Sequence, residues 1–167
     1  MDLPGSNTPV LIRTYPELAR ELFSAISRAK SEIYIASRYY EPAIGSKLLE
    51  KFAEGVSIHV LDSNSSGVTL EERIRSASTH DSKNRSLMLR LLDTPNSFST
   101  TSKLNYSFSI VDGKYCGLEL IDPENPDNFT SALKLENTEL ANQLIAIFQN
   151  LAHVNPNKLE FVENVGQ

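Results

Sequence analysis

LFSAISRAKSEIYIASRYYEPAIGSKLLEKFAEGVSIHVLDSN, residues 22–64, decides the fold class. Leu22, Ala25, Ile26 and Ala29 recur at helical spacing and continue a face begun by Leu18. Thr14 with Glu17 three residues later forms a capping box, and Pro16 sits in the first turn, so a helix is expected over Pro16–Ala29. Glu32–Ser37 (EIYIAS) is β-branched and aromatic and suits a strand. Ser46–Glu54 reads as a short helix stopped by Gly55, and Val56–Leu61 as the next strand. Helix, strand, helix, strand implies a crossover helix and a parallel strand pair packed under helices.

Upstream, residues 1–13 read as a linker-like segment broken by Pro4, Gly5, Asn7 and Pro9, with Val10–Ile12 suited to an edge strand. Downstream, Asp62–Gly67 is a polar loop, and Thr69 with Glu72 caps a helix to about Ser76. Ser78–Arg85 is polar and reads as loop. Leu87–Leu92 reads as a strand because Asp93-Thr94-Pro95-Asn96 closes it at once, and Ser97–Ser102 as a Ser/Thr-rich loop. Tyr106–Val111 and Tyr115–Ile121 flank Asp112-Gly113-Lys114, a strong hairpin signal. Thr130–Leu135 is a last strand. Thr138–Ala152 is a helix with Leu140, Leu144, Ile147, Phe148 and Leu151 on one face, followed by a tail, 154–167, with a strand-like piece at Leu159–Val162. The expectation is one α/β domain over residues 14–153, a mixed β-sheet with flanking helices.

The composition narrows the function classes. A net charge of −5, with Arg73, Arg75, Lys83, Arg85 and Arg90 interleaved with acids, argues against a phosphate track, so no direct nucleic-acid binding by this chain alone is expected. One cysteine, Cys116, allows no internal disulfide and no cysteine-based zinc cluster, which fits a reducing cytoplasmic setting. No apolar run suits a membrane helix, and Met1–Pro9 does not read as a secretory signal. No cofactor and no metal site are expected.

Two stretches together resemble the phospholipase-D-like superfamily. Within residues 22–64, Ile26 and Ala29 stand in that family's helix ending, and Gly55 and Val56 lead into its second strand. Within NYSFSIVDGKYCGLEL, residues 105–120, Asp112, Gly113 and Gly117 align with the motif H-x-K-x-x-x-x-D and the G-S-x-N that follows it. Counted back from Asp112, the histidine position holds Asn105 and the lysine position Ser107, while the serine and asparagine positions hold Leu118 and Leu120. The resemblance implies a nucleophilic histidine in active members and a lysine that neutralises phosphate oxygens. An Asn amide does not attack phosphorus and a Ser hydroxyl carries no charge, so the expectation is a non-catalytic domain.

From IVDGKYCGLELIDP, residues 110–123, through the terminal helix LANQLIAIFQNLAH, residues 140–153, the chain is also similar to the C-terminal effector domain of TrmB-like archaeal transcriptional regulators. This implies a ligand-sensing or interaction domain forming the regulatory part of a transcriptional regulator, without the DNA-reading helices. The alternative is a phosphodiesterase or nuclease of the superfamily acting as a homodimer, and a structural dimerisation module is a third reading. Ligands of open α/β sheets gather beyond the C-terminal ends of parallel strands. There the sequence offers Arg38, Tyr39 and Tyr40 after one strand and Asp62 after the next, with Asn105, Ser107 and Glu119 added by the degenerate motif. Rings, amides and carboxylates suit a sugar-like effector, and Arg38 an anionic one. A homodimer is expected, because any second motif copy has to come from another chain.

Overall fold

The computed structural model describes residues 8–39, 41–63, 82–101 and 104–153. The elements are β1 (Val10–Ile12), α1 (Tyr15–Ser27), β2 (Glu32–Ser37), α2 (Pro42–Ala53), β3 (Ser57–Ser63), α3 (Ser82–Asp93), β4 (Phe98–Thr101), β5 (Phe108–Val111), β6 (Tyr115–Leu120), β7 (Ser131–Glu136) and α4 (Thr138–His153). Among the described residues they build one seven-stranded mixed sheet in the order β1-β7-β6-β5-β2-β3-β4. β2 pairs parallel with β3, β3 parallel with β4, and the remaining neighbours pair antiparallel.

The expected parallel pair and hairpin are both present, and each has a local cause. Thr14 Oγ1 accepts the Glu17 N–H at 3.3 Å, and Glu17 Oε2 accepts the Arg13 N–H at 3.2 Å, which fixes the start of α1. Gly55, at φ +93°, turns the chain out of α2 into β3. Asp112 and Gly113, at φ 52° and 65°, supply the two left-handed residues of a tight hairpin turn, so β5 and β6 pair in the register Val111↔Tyr115.

Helices α1, α2 and α3 cover one face of the sheet. Ala25, Ile26, Leu48, Leu49, Leu87 and Leu91 pack there against Ile33, Ile35, Ile58 and Val111. Helix α4 covers the other face, where Ala141, Leu144 and Phe148 meet Tyr34, Ala36, Leu61 and Ile110. The result is three layers, helices–sheet–helix.

Several expectations need correction. Leu87–Leu92 is not a strand but part of α3, which also takes in residues 82–85 of the expected loop. Leu87 and Leu91, four apart, are buried while Leu89 is 52 % exposed; that is helical alternation, and tertiary burial decides it. The expected loop Ser97–Ser102 contains β4, whose backbone is drawn into the sheet by parallel pairing with β3 from Val60↔Phe98 to Ser63↔Thr101. Helix α2 begins at Pro42, four residues before Ser46, because proline suits a first turn. On α4, Ile147 is 38 % exposed and Ala141 takes the buried place instead. Val10–Ile12 is an edge strand of the sheet, so the linker-like stretch ends before it. The expected helix from Thr69, the strand-like piece Leu159–Val162 and the side chain of Tyr40 lie outside the described residues.

Candidate functional site

The C-terminal ends of β2 and β3 meet the N-terminal end of β5 and the far end of β6. Sheet alternation sends Ser37, Asp62, Ser107 and Glu119 to the face carrying α1, α2 and α3. Glu119 is the centre of this group, with its side chain 1 % exposed. Arg38 Nη2 donates to Glu119 Oε1 at 2.6 Å and Arg38 Nε to Oε2 at 3.2 Å, a two-pronged ion pair. The Tyr39 hydroxyl donates to Oε1 at 2.7 Å, and the Ser107 N–H to Oε2 at 2.6 Å. The rest of the Arg38 guanidinium reaches the Pro126 carbonyl at 2.8 Å and the Tyr39 hydroxyl at 3.0 Å. The Ser107 hydroxyl accepts the Arg38 N–H at 2.9 Å.

The electrostatics follow from these contacts. Burial pulls the Glu119 carboxyl upward, but the donors on Arg38, Tyr39 and Ser107 together with the Arg38 charge bring it below the usual carboxylate range. The Tyr39 hydroxyl is pushed up to about 12, first by burial and then by its bond to Glu119. Arg38 is raised, chiefly by its bond to Glu119.

Four of the sequence-chosen residues, Arg38, Tyr39, Ser107 and Glu119, are thus one hydrogen-bonded cluster. Asp62, 8 % exposed, lies beside Ser37 across β2 and β3 and lines the cavity below. Asn105 is exposed, just before β5. The other motif positions are informative. Leu118 points to the opposite face and packs in the α4 layer, and Leu120 is 36 % exposed. On β6 the residues that share a face with Ser107 are Gly117 and Glu119, because side chains alternate along the strand. Counting the motif along the sequence therefore places its last two positions one residue out of phase with the site.

Asp112, the motif's aspartate, stands at the other end of the hairpin. Its carboxylate accepts the N–H groups of Lys30, Ser31 and Glu32 and the Ser31 hydroxyl, at 2.8–3.2 Å. Burial works against its charge, yet those bonds hold its carboxyl below the usual range. Its work is structural: it ties the hairpin turn to the α1–β2 turn. His59 is structural as well, stacked on Tyr34 at 4.3 Å with Nδ1 3.0 Å from the Asn96 carbonyl.

Beneath the cluster lies a cavity of about 160 Å³ between the sheet and the helices. Leu18 and Leu22 of α1 and Ile44 and Leu48 of α2 wall it; Ile35, Ser109 and Gly117 form its floor; Tyr39, Ser107 and Glu119 stand at its rim. Tyr15 also lines it and joins Tyr39 and Phe129 in an aromatic group, with centroids 5.2 and 5.9 Å from Tyr15. Sequence reasoning missed Tyr15 and Phe129. Tyr15 had a signal, since it precedes Leu18 and Leu22 on the same helical stripe. Phe129, in a loop, had none. No group of His, Cys, Asp and Glu among the described residues is placed to hold a metal ion, and no helix among them is long and apolar enough to cross a membrane.

No family model and no curated protein matches the chain. Solved structures do. Nuc from Salmonella typhimurium, a phospholipase D family member, aligns at 19 % identity and a TM-score of 0.60 over 86 % of this chain and 94 % of its own. The fold is phospholipase-D-like. NucT from Helicobacter pylori shares the phospholipase-D-like fold at 18 % identity and a TM-score of 0.58, over 86 % of this chain and 94 % of that one. TrmBL2, an archaeal chromatin protein, aligns at 12 % identity and a TM-score of 0.67, over 86 % of this chain. The present chain spans about half of TrmBL2, 52 % of its length.

Proposed function

We propose that this chain is a non-catalytic phospholipase-D-like domain that senses a small molecule, as the regulatory part of a transcriptional regulator. One observation carries the reading. Where the active motif places a nucleophile and a free cation, this chain has exposed Asn105 and neutral Ser107, and the cation nearby, Arg38, is neutralised by Glu119. A phosphodiester needs both a nucleophile and positive charge at its oxygens. The likeness to TrmBL2 supports the regulatory setting by analogy of fold. The anionic effector named from the sequence loses support, because the Arg38 guanidinium is engaged by Glu119, Tyr39 and Pro126. A neutral effector, sugar-like or less polar, keeps it. A homodimer and the absence of direct nucleic-acid binding belong to the same reading.

The test is hydrolysis of bis-p-nitrophenyl phosphate and of single-stranded DNA. The expected outcome is no turnover above background. Turnover that survives repurification and disappears in Ser107→Ala would favour the homodimeric phosphodiesterase instead.

A further inference from the structure

The polar groups around the cavity are largely matched to one another, and that decides what it can hold. Glu119 accepts from Arg38, from the Tyr39 hydroxyl and from the Ser107 N–H. The Ser107 hydroxyl accepts the Arg38 N–H, and the Ser37 hydroxyl bonds the Tyr39 N–H and carbonyl. Asp62 is not free either. Glu41, the last charge among the lining residues, heads α2, where the positive end of the helix dipole offsets part of its charge. Ser109 adds one hydroxyl at the floor, set against Gly117.

A guest rich in polar groups would give up its water and find few partners in exchange. A charged guest would do so at a higher cost still. A sugar, with a hydroxyl on nearly every carbon, fits this lining poorly. An apolar guest loses nothing on entry and gains contact with Leu18, Leu22, Ile44 and Leu48. Size narrows the class. Apolar cavities of ~150 Å³ in other proteins stay dry and take up benzene, and this one is about 160 Å³. Tyr15 and Tyr39 line it with their rings 5.2 Å apart and tilted by 58°, which offers an aromatic guest the inclined neighbours that rings favour.

We infer that this cavity binds an uncharged monocyclic hydrocarbon, of the benzene and toluene class, held between α1, α2 and the sheet by apolar contact alone. This rests on reading the chain as a ligand-sensing domain, and it names the less polar of the two neutral effector classes. Two small lining residues give a way to fill the space. Ala19 on α1 and Gly45 on α2 both line the cavity, and a Cβ at Gly45 meets nothing within 4 Å.

Titration calorimetry on the full chain tests the inference, with toluene, benzoate, benzylammonium and maltose as probes. Toluene binds saturably, and the two charged rings of similar size bind at least about ten-fold more weakly. Ala19→Leu/Gly45→Leu, folded by circular dichroism, loses toluene binding; if the pair does not fold, Ala19→Leu alone is read in the same way. Failure of the wild type to bind toluene overturns the inference. So does either charged ring binding as tightly as toluene, or toluene affinity unchanged in the folded filled variant. If maltose binds and toluene does not, the hydrocarbon assignment falls and the sensing reading stands. Phosphodiester turnover beside intact toluene binding sinks the non-catalytic reading and leaves the cavity assignment in place.

Discussion

The two ends of the β5–β6 hairpin each hold a carboxylate, half-buried Asp112 and buried Glu119, and they satisfy it by different means. At the turn, Asp112 is held by backbone N–H groups of Lys30, Ser31 and Glu32. At the open end, Glu119 is held by a guanidinium, a phenol and one N–H. Backbone donors are fixed by the fold itself, and the one side chain that joins them, the Ser31 hydroxyl, carries no charge. A cation is different: each partner of the ion pair is stranded if the other is lost. The comparison teaches that the turn end is a clasp and the open end a mutual dependency.

The sharpest way to break this comparison is Arg38→Ala. It leaves Glu119, with a side chain 1 % exposed, charged and unpaired; the expected loss of stability is ~3–5 kcal/mol, read from urea unfolding. Glu119→Gln removes the charge but keeps an acceptor, and it leaves behind Arg38, which is 14 % exposed and wetter. Its expected cost is about 1.5–3 kcal/mol. A larger cost for Glu119→Gln than for Arg38→Ala would show that the dependency runs the other way.

Asp112→Ala is expected to cost about 1–2 kcal/mol, the scale of a lost helix cap. Asp112→Asn should cost less, since Asn retains an acceptor and tolerates the φ of 52°. If Asp112→Asn were as damaging as Arg38→Ala, the clasp would depend on charge after all.

The smallest expected effect is in the pH profile. Both carboxyls are held below their ordinary range in the folded chain. Their contribution to stability is therefore complete above the unfolded values, about pH 4, and is lost as pH falls through the lower folded values. Thermal melts should be flat from about pH 7 to 5 and decline below about pH 4. Glu119→Gln should show a shallower acid decline than wild type, and an equal decline would exclude Glu119 as a source.

Much of this fold was legible in the sequence because its signals are local. The Thr14–Glu17 cap, the Gly55 stop and the Asp112-Gly113 turn each act within a few residues. What failed was decided by distant partners. FSTT at 98–101 has no strong strand signature and becomes β4 only because β3 lies beside it. LMLRLL is ambiguous until α2 and the sheet bury Leu87 and Leu91. The candidate site was legible as a list, since strand ends and motif positions named four members of the cluster. Its internal neutralisation was not, because nothing in the chain from Arg38 to Glu119 announces that the two meet. The cavity was hidden for the same reason, being a gap between helices rather than a property of any segment.

β1 joins residue 10 to residue 134 and is only three residues long. Pairing β2 with β3 or closing the β5–β6 turn brings together parts of the chain near in sequence, whereas β1 has to wait until β7 is in place. The N-terminal edge is therefore expected to dock last as the chain folds. By the same token it is the first to detach, and amide exchange in β1 should be the fastest of any strand in the sheet.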